Sequence, residues 1–409
     1  MKKTMIAILI LSLLLGLAAC NTQSETTGTS NVRGTLDHNR WIRARTLSIP
    51  FTDTGIYHWY GMGFLCYADI AAGNSIFLCS KPGCLHNKAG DKNTCEAYIS
   101  SALYPLTPLY FWNNHIYYIG TDSYGTHLYR RNATGTDEIQ VGSLGSKYIQ
   151  QKQTVSISRH VRVDQFIYYN AIVRASVVTE DLVHTTKEVA HYIGRVNLET
   201  GTEEILLEET EFTLYLWAAQ SGAVLYGTEG IVELDMLDPN YTTERLSQPV
   251  TLAILDVETG NTRTLLTKTF EQFIQVDMVS EGKVYYVDYP TAGQGGKDTF
   301  IYDLNTGEET QFTTDSLEHI NGQLALRLDP DSLLWEVMNL QTGTTMPIDV
   351  EGVIHVKGVG PEGALFSVKV EIDRGTNCTY YQYATFASLE DGIQTSDLTT
   401  LYTQQSYSG

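Results

Sequence analysis

From about residue 50 onward, apolar and polar positions alternate in short runs, the period of half-buried strands. Stretches with helical spacing are missing. One unit recurs along the chain: an alternating strand ends on a polar residue, a short turn closes on glycine, and a second strand follows. The copies are Asp69–Gly73, Asn132–Gly135, Asn197–Gly201, Asp256–Gly260, Asp303–Gly307, Asn339–Gly343 and Ser388–Gly392. The glycine supplies the positive φ of a tight hairpin, and the preceding polar side chain caps the turn. Upstream of each lies a polar turn leading into an aromatic-rich strand. Asn113–Ile119 is the clearest copy; others begin at Thr54, Asp164, Ser221, Glu281, Asn321 and Glu362.

Turn, strand, strand, hairpin, strand is one four-stranded antiparallel sheet, repeated every 40–65 residues or so, the period of propeller blades. A lone blade cannot bury both faces, whereas a ring of blades buries them all and protects the edges. The fold class expected is all-β, a β-propeller of seven blades, or six if the first and last copies share one blade. A pair of β-sandwiches is the rival. Val177–Val189 reads as an extended inter-strand loop and Gly293–Lys297 as a flexible one. Asp235, Asp238 and Asn240, and the pair Asp329 and Asp331, read as polar turns rather than calcium loops.

The N-terminus follows another pattern. Lys2 and Lys3 precede an almost unbroken apolar run from Met5 to Leu17. It is shorter than the roughly 20 residues of a bilayer span and suits the core of an export signal. Leu17-Ala18-Ala19-Cys20 then resembles the bacterial lipobox, which implies cleavage before Cys20, lipidation of its thiol with palmitate-type chains, and a cell-membrane location facing outward. Residues 1–19 are thus read as signal peptide, 20–43 as lipidated N-terminus and flexible linker, and 44–409 as the propeller. Asn21–Asn39 is rich in Ser, Thr, Gly and Asn and cannot bury a core.

The chain has 409 residues and a formal net charge of −20, with 26 tyrosines. That charge argues against nucleic acid as a partner and against lying flat on an anionic bilayer.

Leu128–Gly135 following Ile116–Ile119 is similar to the TolB-like and low-density-lipoprotein-receptor-like propellers of secreted Firmicutes proteins. Cys79-Ser-Lys-Pro-Gly-Cys84-Leu-His86, with Cys95-Glu-Ala97-Tyr98, resembles a signature of uncharacterised lipoproteins in that group. The resemblance spans most of residues 45–400 and implies architecture, not activity.

Five cysteines remain besides Cys20: Cys66, Cys79, Cys84, Cys95 and Cys378. An odd number outside the cytoplasm leaves at least one thiol free, metal-bound or paired between chains. Three readings of the insertion at 79–98 compete: disulfides, a zinc site, and mixed or redox-active thiol chemistry. If Ala72-Gly73 forms the hairpin loop, Cys66 faces Cys79, and disulfides Cys66–Cys79 and Cys84–Cys95 staple the segment. Alternatively Cys79, Cys84, His86 and Cys95 form a closed Cys3His site for structural zinc. Other histidines show no ligand spacing, and phosphate loop, nucleophile elbow and HExxH motifs are missing. No catalytic residue is assigned. The expected function is a lipid-anchored extracytoplasmic module that binds an envelope glycan, peptide or protein. The alternative is a propeller enzyme, a hydrolase or lyase acting on extracellular glycan, which needs two converging carboxylates.

Overall fold

The computed structural model describes residues 41–407 except 45–48, 61–62, 87–94, 100–108, 123, 179–183, 231–248, 270–272, 290–297, 314–316, 330, 333, 351–352, 361, 374–375, 391–392 and 395–396. The export signal, Cys20, most of the linker, the turn at 235–240 and the loop at 293–297 lie outside these residues.

The described strands form seven antiparallel sheets arranged as a ring, a seven-bladed β-propeller. Apart from the added Ile42–Arg43 strand, the blades begin in chain order with Gly55–Tyr60 in blade I, Leu109–Trp112 in II, Thr154–Val163 in III, Phe212–Gln220 in IV, Phe273–Ser280 in V, Leu317–His319 in VI and Val353–Val359 in VII. Blades II to VII start on their inner strand. Blade I has only a rudimentary one, residues 49–51, joined by the Phe51–Ile56 bridge and by Tyr57 N–H donating to Pro50 O at 3.2 Å.

Turn chemistry sets this repeat. Asn113 and Asn114 (φ 47° and 58°), and Glu281 and Gly282 (φ 51° and 74°), have both central residues left-handed, the geometry of a type I′ hairpin between strands one and two. Between strands three and four, the side chain of Asn197, Asp256, Asp303 or Asn339 accepts the N–H groups two and three residues on. The glycine N–H four residues on then donates to the same residue's carbonyl. Outer strands carry a bulge at one recurring place, visible as register shifts at Val141, Leu206, Leu265, Phe312 and Leu401. Each pushes an apolar side chain into an inter-blade core. The tyrosines fill the same spaces: Tyr117, Tyr118, Tyr168, Tyr169, Tyr192 and Tyr286 are fully buried.

Three sequence expectations need correction. Ser388–Gly392 is not a hairpin. Thr385 Oγ1 accepts Ser388 N–H at 3.2 Å, capping a short helix, Phe386–Glu390, whose Leu389 is fully buried. Within Val177–Val189, residues 177–178 and 184–189 are strand rather than loop, because Phe166–Val178 and His184–Asn197 pair out to Val178–His184, while 179–183 lie outside the described residues. The hairpin after Asp69 is registered two positions from the expected one: Asp69 pairs with Asn74, so Cys66 faces Phe77 and not Cys79. The cause is the Asp69 carboxylate, which accepts Ala72 N–H at 2.8 Å and forces a four-residue loop ending at Gly73.

Blades VII and I share no strand. Their seam is closed by Ile56, Ala68, Leu365, Tyr383 and Leu401, with Phe51 against Gly358 and Gly360. Inside the ring, Ile42–Arg43 adds to the inner edge of blade IV opposite Ala218 and Ala219, and Arg43 binds Asp277 of blade V at 3.0 Å. Residues 41–43, expected to be linker, are therefore part of the fold.

Gly201 and Gly260 occupy the same left-handed turn position (φ 68° and 70°), but a Cβ on Gly201 would lie 2.0 Å from Val141 O whereas one on Gly260 meets nothing. Gly260→Ala should cost about 1–2 kcal/mol, the left-handed penalty alone, and Gly201→Ala should cost at least about 3 kcal/mol once overpacking is added. Urea unfolding of the two variants checks this; equal losses would contradict it.

Candidate functional site

Blade I is the incomplete blade, and the candidate site completes it. Its outer strand, Asn74–Phe77, pairs with four of the six residues of Phe64–Asp69 and leaves the Phe64 end open. The chain then leaves the sheet, turns at Lys81–Cys84 with Gly83 left-handed (φ 74°), and returns at Cys95. The returning segment pairs with the open end: Leu65 N–H donates to Ala97 O and Ile99 N–H to Gly63 O, both at 2.8 Å.

This excursion gathers Cys79, Cys84, His86 and Cys95, with one ligand atom from each within 4.8 Å of the others. His86 Nδ1 lies 3.4 Å from Cys95 Sγ, and its ring stacks on Phe77 with centroids 4.5 Å apart and planes 12° apart. His86 itself is left-handed (φ 52°), a strained setting that brings the imidazole back over the sulfurs. Burial raises the Cys79 thiol, but hydrogen bonds from Lys81 and Glu96 backbone N–H and from Cys95 and Cys84 outweigh it, so the net shift is downward. Cys95 moves the other way, to about 12, through burial and the neighbouring Cys84. Amide donors to sulfur, tetrahedral-scale spacing and a mixed sulfur–nitrogen set all fit a divalent metal, whose tetrahedral edge at M–S of about 2.3 Å is about 3.8 Å. A Cys3His cluster able to hold a metal is therefore present. Cys66 lies beneath it, buried, its thiol pushed up to about 12 by burial and by Cys95.

The loop is pinned from outside. The Glu96 carboxylate accepts Ser80 N–H at 2.9 Å and Ser80 Oγ–H at 2.7 Å. Arg131 of blade II, nearly buried, donates to Glu96 O at 2.5 Å, to Gly135 O at 2.9 Å and to the Glu138 carboxylate at 2.5 Å. Between the blades runs a cleft of about 520 Å³, lined by Tyr57, Tyr67, Ile76, Phe77, Cys79 and Phe111, with Thr54, Asn114 and Thr134 among the residues at its rim.

Sequence reading passed over three polar networks. On blade II, Asp122 Oδ1, His127 and Ser143 Oγ form a relay, 3.3 Å to Nε2 and 3.0 Å to Nδ1. Its parts are structural: Asp122 caps the turn by accepting Tyr124 and Gly125 N–H, and Gln140 donates into the Nδ1 lone pair that would receive a serine proton. At the VII–I seam, His58 Nδ1–H donates to Trp59 O at 3.2 Å, so Nε2 accepts Ser75 Oγ–H at 2.8 Å. Its ring stacks on Tyr402 at 3.7 Å. Inside the ring, Asp277 is held by Arg43 and by Gln275 at 2.9 Å, beside fully enclosed His319. The pair Asp329 and Asp331 is the polar turn expected, with Asp329 capping Ser332 N–H.

The sequence matches no known protein family and no curated protein. Among solved structures it is similar to a puromycin-hydrolyzing peptidase of Mycobacterium tuberculosis, with 8% identity over 88% of this chain and 52% of that one and a TM-score of 0.50. It is also similar to an acylaminoacyl peptidase of Pyrococcus horikoshii (9%, 88% and 52%, TM-score 0.47). A third is an oligogalacturonate lyase in complex with manganese (16%, 76% and 80%, TM-score 0.44). The chain spans about half the length of the two peptidases. At these identities the likeness is one of fold.

Burial pushes both His58 and His319 down to about 4 from 6.5. They are neutral in the folded state and ionise on unfolding below pH 6.5. The stability they support is full above pH 6.5 and falls as pH drops toward 4, by up to about 1.4 kcal/mol per pH unit for each. Urea midpoints between pH 7.5 and 5 should show this slope, and His58→Gln should flatten it. A level profile over that range would rule the account out.

Proposed function

We propose that this chain is a lipid-anchored extracytoplasmic β-propeller that binds an envelope glycan, peptide or protein, with zinc on Cys79, Cys84, His86 and Cys95 as a structural staple beside the binding surface. The observation that carries the reading is the four-ligand cluster docked against an open inter-blade cleft. Four protein ligands leave no open position, so the metal's part is to hold a loop that has little regular structure of its own. Against an enzyme, the two buried carboxylates among the described residues both have partners: Asp277 holds Arg43, and Glu229 accepts Tyr215 O–H at 2.8 Å. The signal-like run of residues 1–19 and the lipobox-like Cys20 support a location for this surface outside the cell, reached from the membrane through the linker.

Metal analysis with thiol counting on detergent-solubilised full chain should give one equivalent of zinc, lost in Cys84→Ser together with a lower Tm. A metal-free protein with a disulfide among Cys79, Cys84 and Cys95 would overturn the zinc staple. Separately, Cys20→Ala should abolish palmitate labelling and move the protein from the membrane to the soluble fraction; unchanged partitioning would overturn the anchor.

A further inference from the structure

We infer that the cleft between blades I and II is a saccharide-binding site for a short uncharged oligosaccharide, with the metal loop as one of its walls; this rests on the reading of the chain as a binding module. At about 520 Å³ the cleft falls within the range of small-ligand sites, roughly 300–1,000 Å³.

Its lining has two chemistries. One is aromatic and aliphatic: Phe111 stacks on Tyr57 with centroids 5.2 Å apart and planes 27° apart, Tyr67 lies 5.0 Å from Tyr57, and Ile76 on the outer strand is 57% exposed. The other is neutral and polar. Tyr67 Oη meets Thr54 Oγ1 at 2.6 Å and Thr52 Oγ1 at 3.3 Å, and Thr134 and Asn114 face it from the two turns of blade II. Hydroxyls and an amide each both donate and accept, which matches a ring of sugar hydroxyls, whose orientation varies around the pyranose. The apolar C–H face of that pyranose packs on aromatic rings.

Charge excludes the nearest rivals. Apart from the Tyr hydroxyls and the Cys79 thiol, the described lining residues have no ionisable side chain, and they lie in a protein of net charge −20. A uronate, a phosphate or an acidic peptide would find no cation among these described residues and would meet a repulsive field. A lipid chain would strand the hydroxyls against hydrocarbon.

The wall ties the site to the metal cluster. Phe77 lines the cleft and also stacks on His86, and Cys79 and Ser80 continue the same wall. On the opposite side, the Gly135 turn packs on Leu78 while Arg131 ties that turn to the loop. Releasing the loop therefore removes one side of the site.

The test is calorimetric titration of the solubilised full chain with chitotriose, cellotriose and maltotriose, beside a trigalacturonate and a neutral tripeptide. At least one neutral trisaccharide should bind with a Kd of about 1 mM or tighter, and trigalacturonate at least tenfold more weakly. Asn114→Asp keeps the left-handed backbone, which Asp tolerates, and should weaken binding tenfold or more, as should Tyr67→Ala. Tyr124→Ala, on an exposed hairpin outside the cleft, should change nothing, with Tm confirming that all three variants fold. Chelation of the metal should lower the affinity as well. No heat with any neutral trisaccharide, tripeptide binding alone, or binding indifferent to Asn114→Asp would overturn the saccharide site. Binding to a protein or peptide partner without sugar binding would leave the broader reading intact, and failure of every ligand would end both.

Discussion

The whole ring rests on one seam. Six of the seven blade junctions are spanned by the chain itself, so their faces are held at high effective concentration. The junction of blade VII with blade I has no shared strand and is made by side chains: the Ile56, Ala68, Leu365, Tyr383 and Leu401 cluster, and the His58–Tyr402 stack that Tyr381 extends at 4.2 Å. Opening it would expose two apolar faces and two sheet edges together. The rudimentary inner strand of blade I contributes Phe51, whose ring sits where Cβ atoms on Gly358 and Gly360 would otherwise be, at 2.9 and 2.5 Å. Those glycines are small because the seam needs the space.

The same economy explains the metal loop. Blade I is short at its inner strand and short at its outer strand, yet it must present full faces to both neighbours. The Cys95–Ile99 return supplies the missing hydrogen bonds and buries Cys95, Ala97 and Ile99 against Phe64 and the core between blades I and II. Cys79, Cys84, His86 and Cys95 could hold one metal ion beside this return, and Arg131 anchors the return from blade II.

Architecture was legible because the Asx-to-glycine turn is chemically obligatory: one side chain caps two amides, and glycine takes the left-handed position. Four hairpins, at Asn197, Asp256, Asp303 and Asn339, follow that rule in full, while Asp69 and Asn132 each cap a single amide of their turns. The seventh failed at Ser388 because Thr385 offers a competing cap and Leu389 a buried anchor, neither of which a turn motif weighs. The blade I register failed because loop length depends on which amides Asp69 captures, and a two-residue slip preserves the alternation while moving Cys66 from Cys79 to Phe77. Cluster membership was legible from spacing and resemblance. The Arg131 anchor and the cleft were not, since they join residues of two blades that no local pattern connects.

Occupancy of the ring's interior decides where ligands can go. Ile42–Arg43 fills the inner edge of blade IV, Ala44 N–H donates to Trp217 O at 2.8 Å, and Arg159 stacks over Trp217 at 3.9 Å. Burial lowers the Arg159 guanidinium to about 10, with Arg43 adding to the effect, so two cations share this space with one carboxylate. Removing Arg43 would leave Asp277 buried beside a neutral histidine, a costlier state than the ion pair. The N-terminal strand is thus a fixed part of the interior rather than a ligand waiting to be displaced. The cleft between blades I and II, outside this interior, combines aromatic faces and neutral hydroxyls with a wall braced by Arg131.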